Sequence, residues 1–386
     1  MSETKTIARV SGKAALVVAI VATACLDLLG HPTSLVSDSP LQEGIRAFRR
    51  DDLAAAERIF RTVVENHPSS PDAHYWLGVT YTQEHKRREA ELSLQRALEL
   101  RPNSAETYDA LGILYDDQEL YSKSESAFLQ ALTLNPKQTN ALFNLGLSYM
   151  RQKRFAEARE RFDQLLELDP SYTDGYLQRG IALAQLERFQ GARSSLEKYL
   201  TVRSTDTFAQ LKLGEVLFSM GRLQDAIEYF KKAAAASGPH TSHAFSQLGF
   251  AYYTAAQYRE AREALEKALS QDGQNLDALL NLGRVCLEQG EPQQARSWFE
   301  KILTLEPKHA EALYYLGCLY FNEKEFEKAL PLFQLVVQQA PDHLKAYYQM
   351  ALTYSRLNQP DREQEAVQTF KRLEALEQSR RKRTPH

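Results

Sequence analysis

Leucine, glycine and tyrosine return along this chain at fixed offsets. Leu77, Gly78 and Tyr81 are followed by Leu111, Gly112 and Tyr115, by Leu145, Gly146 and Tyr149, and later by Leu316, Gly317 and Tyr320. A Leu and a Tyr four apart lie on one face of an α-helix, so each triad predicts a helix with one apolar stripe. The glycines at 44, 78, 112, 146, 180, 214, 249, 283 and 317 fall 34 residues apart, with one step of 35, and Ala351 holds the tenth place. Twelve residues after the first seven of these stand Ala56, Ala90, Ser124, Ala158, Ala192, Ala226 and Ala261, and Phe or Leu follows in Phe60, Leu94, Phe128, Phe162, Leu196, Phe230 and Leu265. This second set predicts a second helix. Pro68, Pro102, Pro136, Pro170, Pro307 and Pro341 then stop it, since proline has no N–H and clashes with the preceding turn.

A glycine inside a helix costs about 1 kcal/mol against alanine. Nine in register need a packing reason, and two helices approach closely only where side chains are small. The Gly column of the first helix and the Ala column of the second mark that crossing, and the Phe column is expected to fill the space between hairpins. A lone hairpin exposes an apolar face that stacked neighbours hide.

Composition agrees with a folded repeat array. Of 386 residues, 43% are hydrophobic and 25% charged, which excludes disorder over most of the length. The formal net charge of −3 leaves no excess of positive charge to recruit nucleic acid. No phosphate-binding loop, dinucleotide fingerprint, G-x-S-x-G or H-E-x-x-H is present. The repeats leave too little chain for a catalytic domain, so no enzyme, cofactor or metal is expected. Cys286 and Cys318 lie on first helices of adjacent repeats and read as small core residues, with a disulfide as the alternative. His240, His309 and His343 occupy equivalent turns, and His240 with His243 completes no metal site.

The run His74-Tyr75-Trp76-Leu77-Gly78 through Tyr81, Ala90, Ala97 and Pro102 resembles a tetratricopeptide repeat (TPR) over its whole length. So does Tyr108 with Leu111, Gly112, Tyr115, Phe128, Ala131 and Pro136. The resemblance covers ten units: 37–70, 71–104, 105–138, 139–172, 173–206, 207–241, 242–275, 276–309, 310–343 and 344–377. It implies an all-α solenoid, a right-handed superhelix of helix-turn-helix hairpins whose first helices line a concave groove. The implied function is a protein–protein interaction scaffold that binds an extended peptide or assembles an envelope complex. The first repeat is thin, Arg179 replaces a Leu, and Ser237-Gly238-Pro239-His240 lengthens the sixth repeat by one residue.

In this family the groove is built from set positions of the first helix. One of them, two residues before each glycine, reads Trp76, Ala110, Asn144, Gln178, Lys212, Gln247, Asn281, Tyr315 and Gln349. Five of these are amides, which donate to and accept from a peptide backbone regardless of its sequence. The column resembles the asparagine ladder in the repeats of protein O-linked N-acetylglucosamine transferases. This gives the alternative function, a substrate-presenting partner of a separately encoded enzyme such as a glycosyltransferase. Tyr75, Phe143 and Phe250 stand beside the ladder as candidate contacts. Glu106, Asp109, Asp116 and Asp117 make an acidic mouth suited to a basic partner segment, with an ordinary solvated charge run as the alternative.

The ends differ. Lys5, Arg9 and Lys13 precede a thirteen-residue run from Ala14 to Leu26 that holds no charge. As a helix it would span about 20 Å, short of the ~30 Å hydrocarbon core and suited to a signal peptide. Val21-Ala22-Thr23-Ala24-Cys25 resembles a relaxed bacterial lipobox, with Cys25 as the lipid-bearing residue. Residues 1–24 therefore read as a cleaved signal, a lipoprotein signal or a retained anchor, and alternatively as a capping helix. Export to a bacterial periplasm or envelope, or tethering to the membrane, is the expectation, with a cytoplasmic location as the alternative. Residues 25–40 read as a linker and 378–386 as a basic disordered tail. Fractionation with metabolic lipid labelling is expected to recover processed protein with the envelope, labelled at Cys25 if the lipobox is used. Unprocessed protein in the soluble cytoplasmic fraction would overturn the export reading.

Overall fold

The computed structural model describes residues 39–383, and the expected signal segment, Cys25 and most of the linker lie outside them. Among the described residues the chain forms twenty α-helices and no strand. None of these helices is long and apolar enough to cross a membrane. They divide into two compact units, 39–204 and 205–383. The first unit holds five hairpins: α1 (Pro40–Arg49) with α2 (Leu53–Asn66), α3 (Pro71–Gln83) with α4 (Arg87–Leu100), α5 (Ala105–Asp117) with α6 (Tyr121–Leu134), α7 (Thr139–Arg151) with α8 (Phe155–Leu168), and α9 (Thr173–Gln185) with α10 (Phe189–Val202). The second unit holds α11 (Thr207–Ser219) with α12 (Leu223–Ala235), α13 (Thr241–Thr254) with α14 (Tyr258–Gln271), α15 (Leu276–Glu288) with α16 (Pro292–Leu305), α17 (Ala310–Asn322) with α18 (Phe326–Gln339), and α19 (Leu344–Arg356) with α20 (Pro360–Arg383).

Pro40, read as the last residue of the linker, is already the first residue of α1, which Ser39 caps by accepting a bond from the Gln42 N–H. Residues 378–383, expected as a disordered tail, continue the backbone of α20. No glycine or proline interrupts the helix-forming run after Pro360 until Pro385.

Each glycine meets the aromatic or leucine column of its own hairpin. An added Cβ at Gly112 would stand 2.6 Å from the Phe128 ring, and one at Gly146 would stand 2.5 Å from Phe162. Both rings are fully buried. The Phe column therefore fills the inside of its hairpin first, a correction to the expectation that it packs between hairpins. Its other face does reach onward: Trp76 stacks over Phe60 at 6.2 Å and Tyr315 over Phe299 at 5.2 Å. The alanine column is buried throughout. The tenth hairpin supports the same reason by contrast. There Ala351 stands at the glycine position, and Phe370, displaced along α20, lies 5.7 Å from Tyr348 instead.

A second column is invisible as a residue type. The turn inside every hairpin passes through the left-handed region, at Asp51, His85, Glu119, Lys153, Glu187, Gly221, Ala256, Gly290, Lys324 and Asn358, with φ between 56° and 74°. The next N–H closes on a carbonyl five residues back, as from Lys86 to Tyr81 at 2.9 Å and from Arg154 to Tyr149 at 2.9 Å. This satisfies carbonyls left open at the end of the first helix. The start of the next first helix is often capped by a side chain: Ser70 to Ala73 N–H, Ser104 to Thr107, Asp206 to Ala209, Asn275 to Ala278. His309 and His343 do the same through Nδ1, which gives these turn histidines a structural task.

Gly146→Ala should gain about 1 kcal/mol of helix propensity and lose about 1–3 kcal/mol to overpacking against Phe162. The expected result is a lower urea midpoint. A raised midpoint would show that the ring moves aside freely.

Candidate functional site

Within each unit the first helices of successive hairpins approach one another, as α5 does α7 and α13 does α15, and the second helices make no comparable approach. The first-helix side is thus the tighter, inner side of each unit. The groove positions read from the sequence belong to this side, and the structure sorts them sharply.

Trp76 is largely taken up by the core. It is 8% exposed and packs among Phe48, Phe60 and Tyr75, where the thin first repeat leaves room for a large ring. Two members of the amide column are also taken up internally. Asn144, 1% exposed, donates through Nδ2 to both carboxyl oxygens of Asp109 at 3.1 and 3.3 Å. Asn281 accepts from Arg284 Nη1 at 3.0 Å. Gln178 and Gln247 are half-buried, and Gln349 lies beside Tyr314 with its Oε1 buried and unpaired. The ladder is therefore interrupted at its two asparagines. A short amide on a close-packed helix face reaches a neighbouring side chain before it reaches a ligand. Lys212 is likewise engaged, donating to Glu215 at 2.8 and 3.1 Å. Burial alone would raise the Glu215 carboxyl, but the His243 hydrogen bond and the Lys212 charge outweigh it and hold it below the usual range.

The acidic mouth shifts from its expected place. Asp116 forms an ion pair with Arg151. Asp117 faces His85 at 3.5 Å and Arg87 at 3.7 Å. Both carboxylates are thus answered from within the chain. Asp109 is different: it is 8% exposed, and no Lys, Arg or His among the described residues forms an ion pair with it. Burial pushes its carboxyl up to about 7, against the Asn144 hydrogen bonds and with some help from Glu106. Burial, with the Asp109 and Glu106 charges, also holds the Tyr75 hydroxyl above its ordinary value. Nearby, Phe143 packs against Tyr172 at 5.1 Å.

Sequence reasoning missed Gln138 and Tyr172. Both occupy the position where other hairpins carry a capping Ser, Asp or Asn, and neither caps its helix. A repeat position filled by the wrong residue type is the signal that could have found them. Gln138 instead lines a small cavity with Tyr75, Glu106 and Asp109, and Tyr172 covers Phe143.

In the second unit the half-buried aromatics form a row. Phe218 lies 5.3 Å from Phe250, and the Arg284 guanidinium lies 4.4 Å from the Tyr253 ring centre and 5.6 Å from that of Phe250. Tyr253 donates to Glu288 at 3.4 Å, and Tyr315 follows on α17. The Nε of Arg284 is buried without a partner. Arg284 was also missed, although it stands 34 residues after Phe250 and thus at the same place in the next hairpin. Cys286 and Cys318 are free thiols, both raised by burial.

Four family models, each described as tetratricopeptide repeat, match residues 41–106 and 110–173, 145–212, 207–274, and 252–316 and 287–351. No curated protein matches the chain. Among solved structures, pilF of Pseudomonas aeruginosa is 20% identical, covering 63% of this chain and 94% of its own, with a TM-score of 0.44. The Cut9–Hcn1 hetero-tetramer of the APC/C is 13% identical over 88% of this chain and 94% of its own, with a TM-score of 0.47. A tetratricopeptide repeat protein from Parabacteroides merdae is 19% identical over 64% and 97%, with a TM-score of 0.45.

The Asp109 carboxyl holds its proton in the folded state up to about 7 and in the unfolded chain only up to about 4. Between these values the folded state binds the extra proton, so this group's contribution to stability falls as pH rises. Asp109→Asn removes that slope. Its stability relative to the parent protein should therefore increase from pH 4 to pH 7, read as urea midpoints at each pH. A constant difference would mean that Asp109 titrates normally.

Proposed function

The chain belongs to the tetratricopeptide repeat family, and we propose that it is a non-catalytic scaffold that holds an extended partner segment on its first-helix faces. The observation that carries this reading is the row formed by Phe218, Phe250, Tyr253, Arg284 and Tyr315 in the second unit. Aromatic rings and a stacked guanidinium left half-buried are what protein-binding surfaces concentrate at their centres. Stacking on Tyr253 and Phe250 fixes the Arg284 plane, and the half-buried guanidinium can meet a backbone carbonyl or carboxylate of the partner through its outer nitrogens. The presenting-partner alternative drew on an amide column already interrupted by Lys212 and Tyr315, and it is favoured less because Asn144 and Asn281 are engaged within the chain.

We further propose that the scaffold works outside the cytoplasm or on a membrane. This rests on Lys5, Arg9 and Lys13 ahead of the Ala14–Leu26 run, with Cys25 as the candidate lipid attachment.

Panning displayed dodecapeptides on the full protein should yield binders that weaken about tenfold or more with Arg284→Ala or Tyr253→Ala, in keeping with a hot-spot loss of about 2 kcal/mol. Selected peptides that bind both variants as tightly as the parent would count against this face.

A further inference from the structure

We propose that the cavity between α3 and α5, floored by Asp109 and bordered by Tyr75, Glu106 and Gln138, receives the ammonium group of a lysine on the partner segment. The proposal rests on the scaffold reading above and gives it a chemical preference in the first unit.

The cavity measures about 30 Å³. That is room for one small polar head such as an ammonium, a compact point charge on a flexible stem. The acceptors at its wall outnumber the donors. Asp109 offers a carboxyl whose two oxygens share the single Asn144 amide group. Gln138 is 91% buried, and its Oε1 has no partner. Glu106 is exposed at the mouth, where only Ser104 donates to it, at 3.2 Å. Arg101, which feels the Glu106 charge, is committed to Asp72 through two bonds of 2.8 and 3.0 Å. Tyr75 adds an aromatic wall for the lysine stem and head. A buried carboxyl with unpaired acceptors around it is costly for the free protein, and an entering cation offsets that cost. Asp109, Glu106 and Gln138 are the acceptor-bearing side chains that line the cavity, and an ammonium group brings three donors to them.

Beside it lies a larger opening of about 120 Å³, which shares Tyr75 and Glu106 and is lined further by Pro71, Trp76 and Thr107. It gives the residue next to the lysine a place on the same face. The raised Asp109 carboxyl is consistent with an absent counter-charge. The other ionisable groups in its surroundings are Tyr75 on α3, Glu106 on α5 and Tyr172 before α9, with Asp169 and Asp174 flanking Tyr172.

The test titrates the full protein with N-acetyl-lysine methylamide and, separately, N-acetyl-norleucine methylamide, following the side-chain amide NMR signals of Gln138 and Asn144. The lysine probe should shift the Gln138 signal saturably, and the norleucine probe should not. Asp109→Asn should weaken the lysine response at least tenfold. Glu106→Gln, an exposed change that leaves the fold alone, should weaken it about threefold. No shift with lysine, or an equal shift with norleucine, overturns the subsite, as does an undiminished response in Glu106→Gln and Asp109→Asn. If the lysine probe fails while panned peptides still depend on Arg284, the scaffold reading stands and the subsite falls. If it succeeds while panning shows no dependence on Arg284 or Tyr253, the subsite stands without that face.

Discussion

The contact between a glycine Cα and a buried Phe or Leu ring or chain sixteen residues later governs this protein. It sets how closely the two helices of a hairpin cross, as at Gly112 under Phe128 and Gly146 under Phe162. Closeness at that point fixes the rotation of the first helix. Rotation in turn decides which side chains face inward, which stack on the next hairpin and which remain for a partner. Leu77 and Tyr81 enter the core because Gly78 sits against Leu94. Asp109 faces the inner side because Gly112, three residues on, sits against Phe128.

What could be read from the residues follows from the same contact. Glycine, alanine and phenylalanine each have a physical role that few other residues can fill, so their columns stay uniform and the hairpins could be drawn from sequence. The left-handed turn has weaker demands: Asp, His, Glu, Lys, Ala and Asn all occupy it beside two glycines. Backbone geometry and one bond to a carbonyl hold it, so no residue type announces it. The face of the first helix could be located by counting, but its chemistry could not. Asn144 and Gln178 look alike in a column, yet one is bound to Asp109 and the other is not.

That difference has a simple spacing behind it. Asn144 meets Asp109, Arg151 meets Asp116 and Tyr253 meets Glu288, each pair 35 residues apart. A side chain on one first helix reaches the position one step back in the preceding hairpin. Other pairs 29 residues apart tie turns to neighbouring second helices, as Arg154 does Glu125 and Lys86 does Glu57, while Arg101 and Asp72 at the same spacing close one hairpin on itself. Charges satisfied by these two spacings drop out as ligand candidates. Asp109 keeps an amide at that spacing instead of a cation, and so remains electrostatically open.

Among the described residues the glycine–ring contact closes within one hairpin, and the side-chain hydrogen bonds and ion pairs named above reach no further than the adjacent one. A gene encoding such a chain can gain or lose a whole 34-residue block without orphaning any distant partner. Unequal recombination would keep the backbone frame at every junction and re-pair side chains only at the one where the block was gained or lost. Copy number is therefore an inheritable dial on the length of the inner face, and the identity of each copy's face residues can drift separately from its frame.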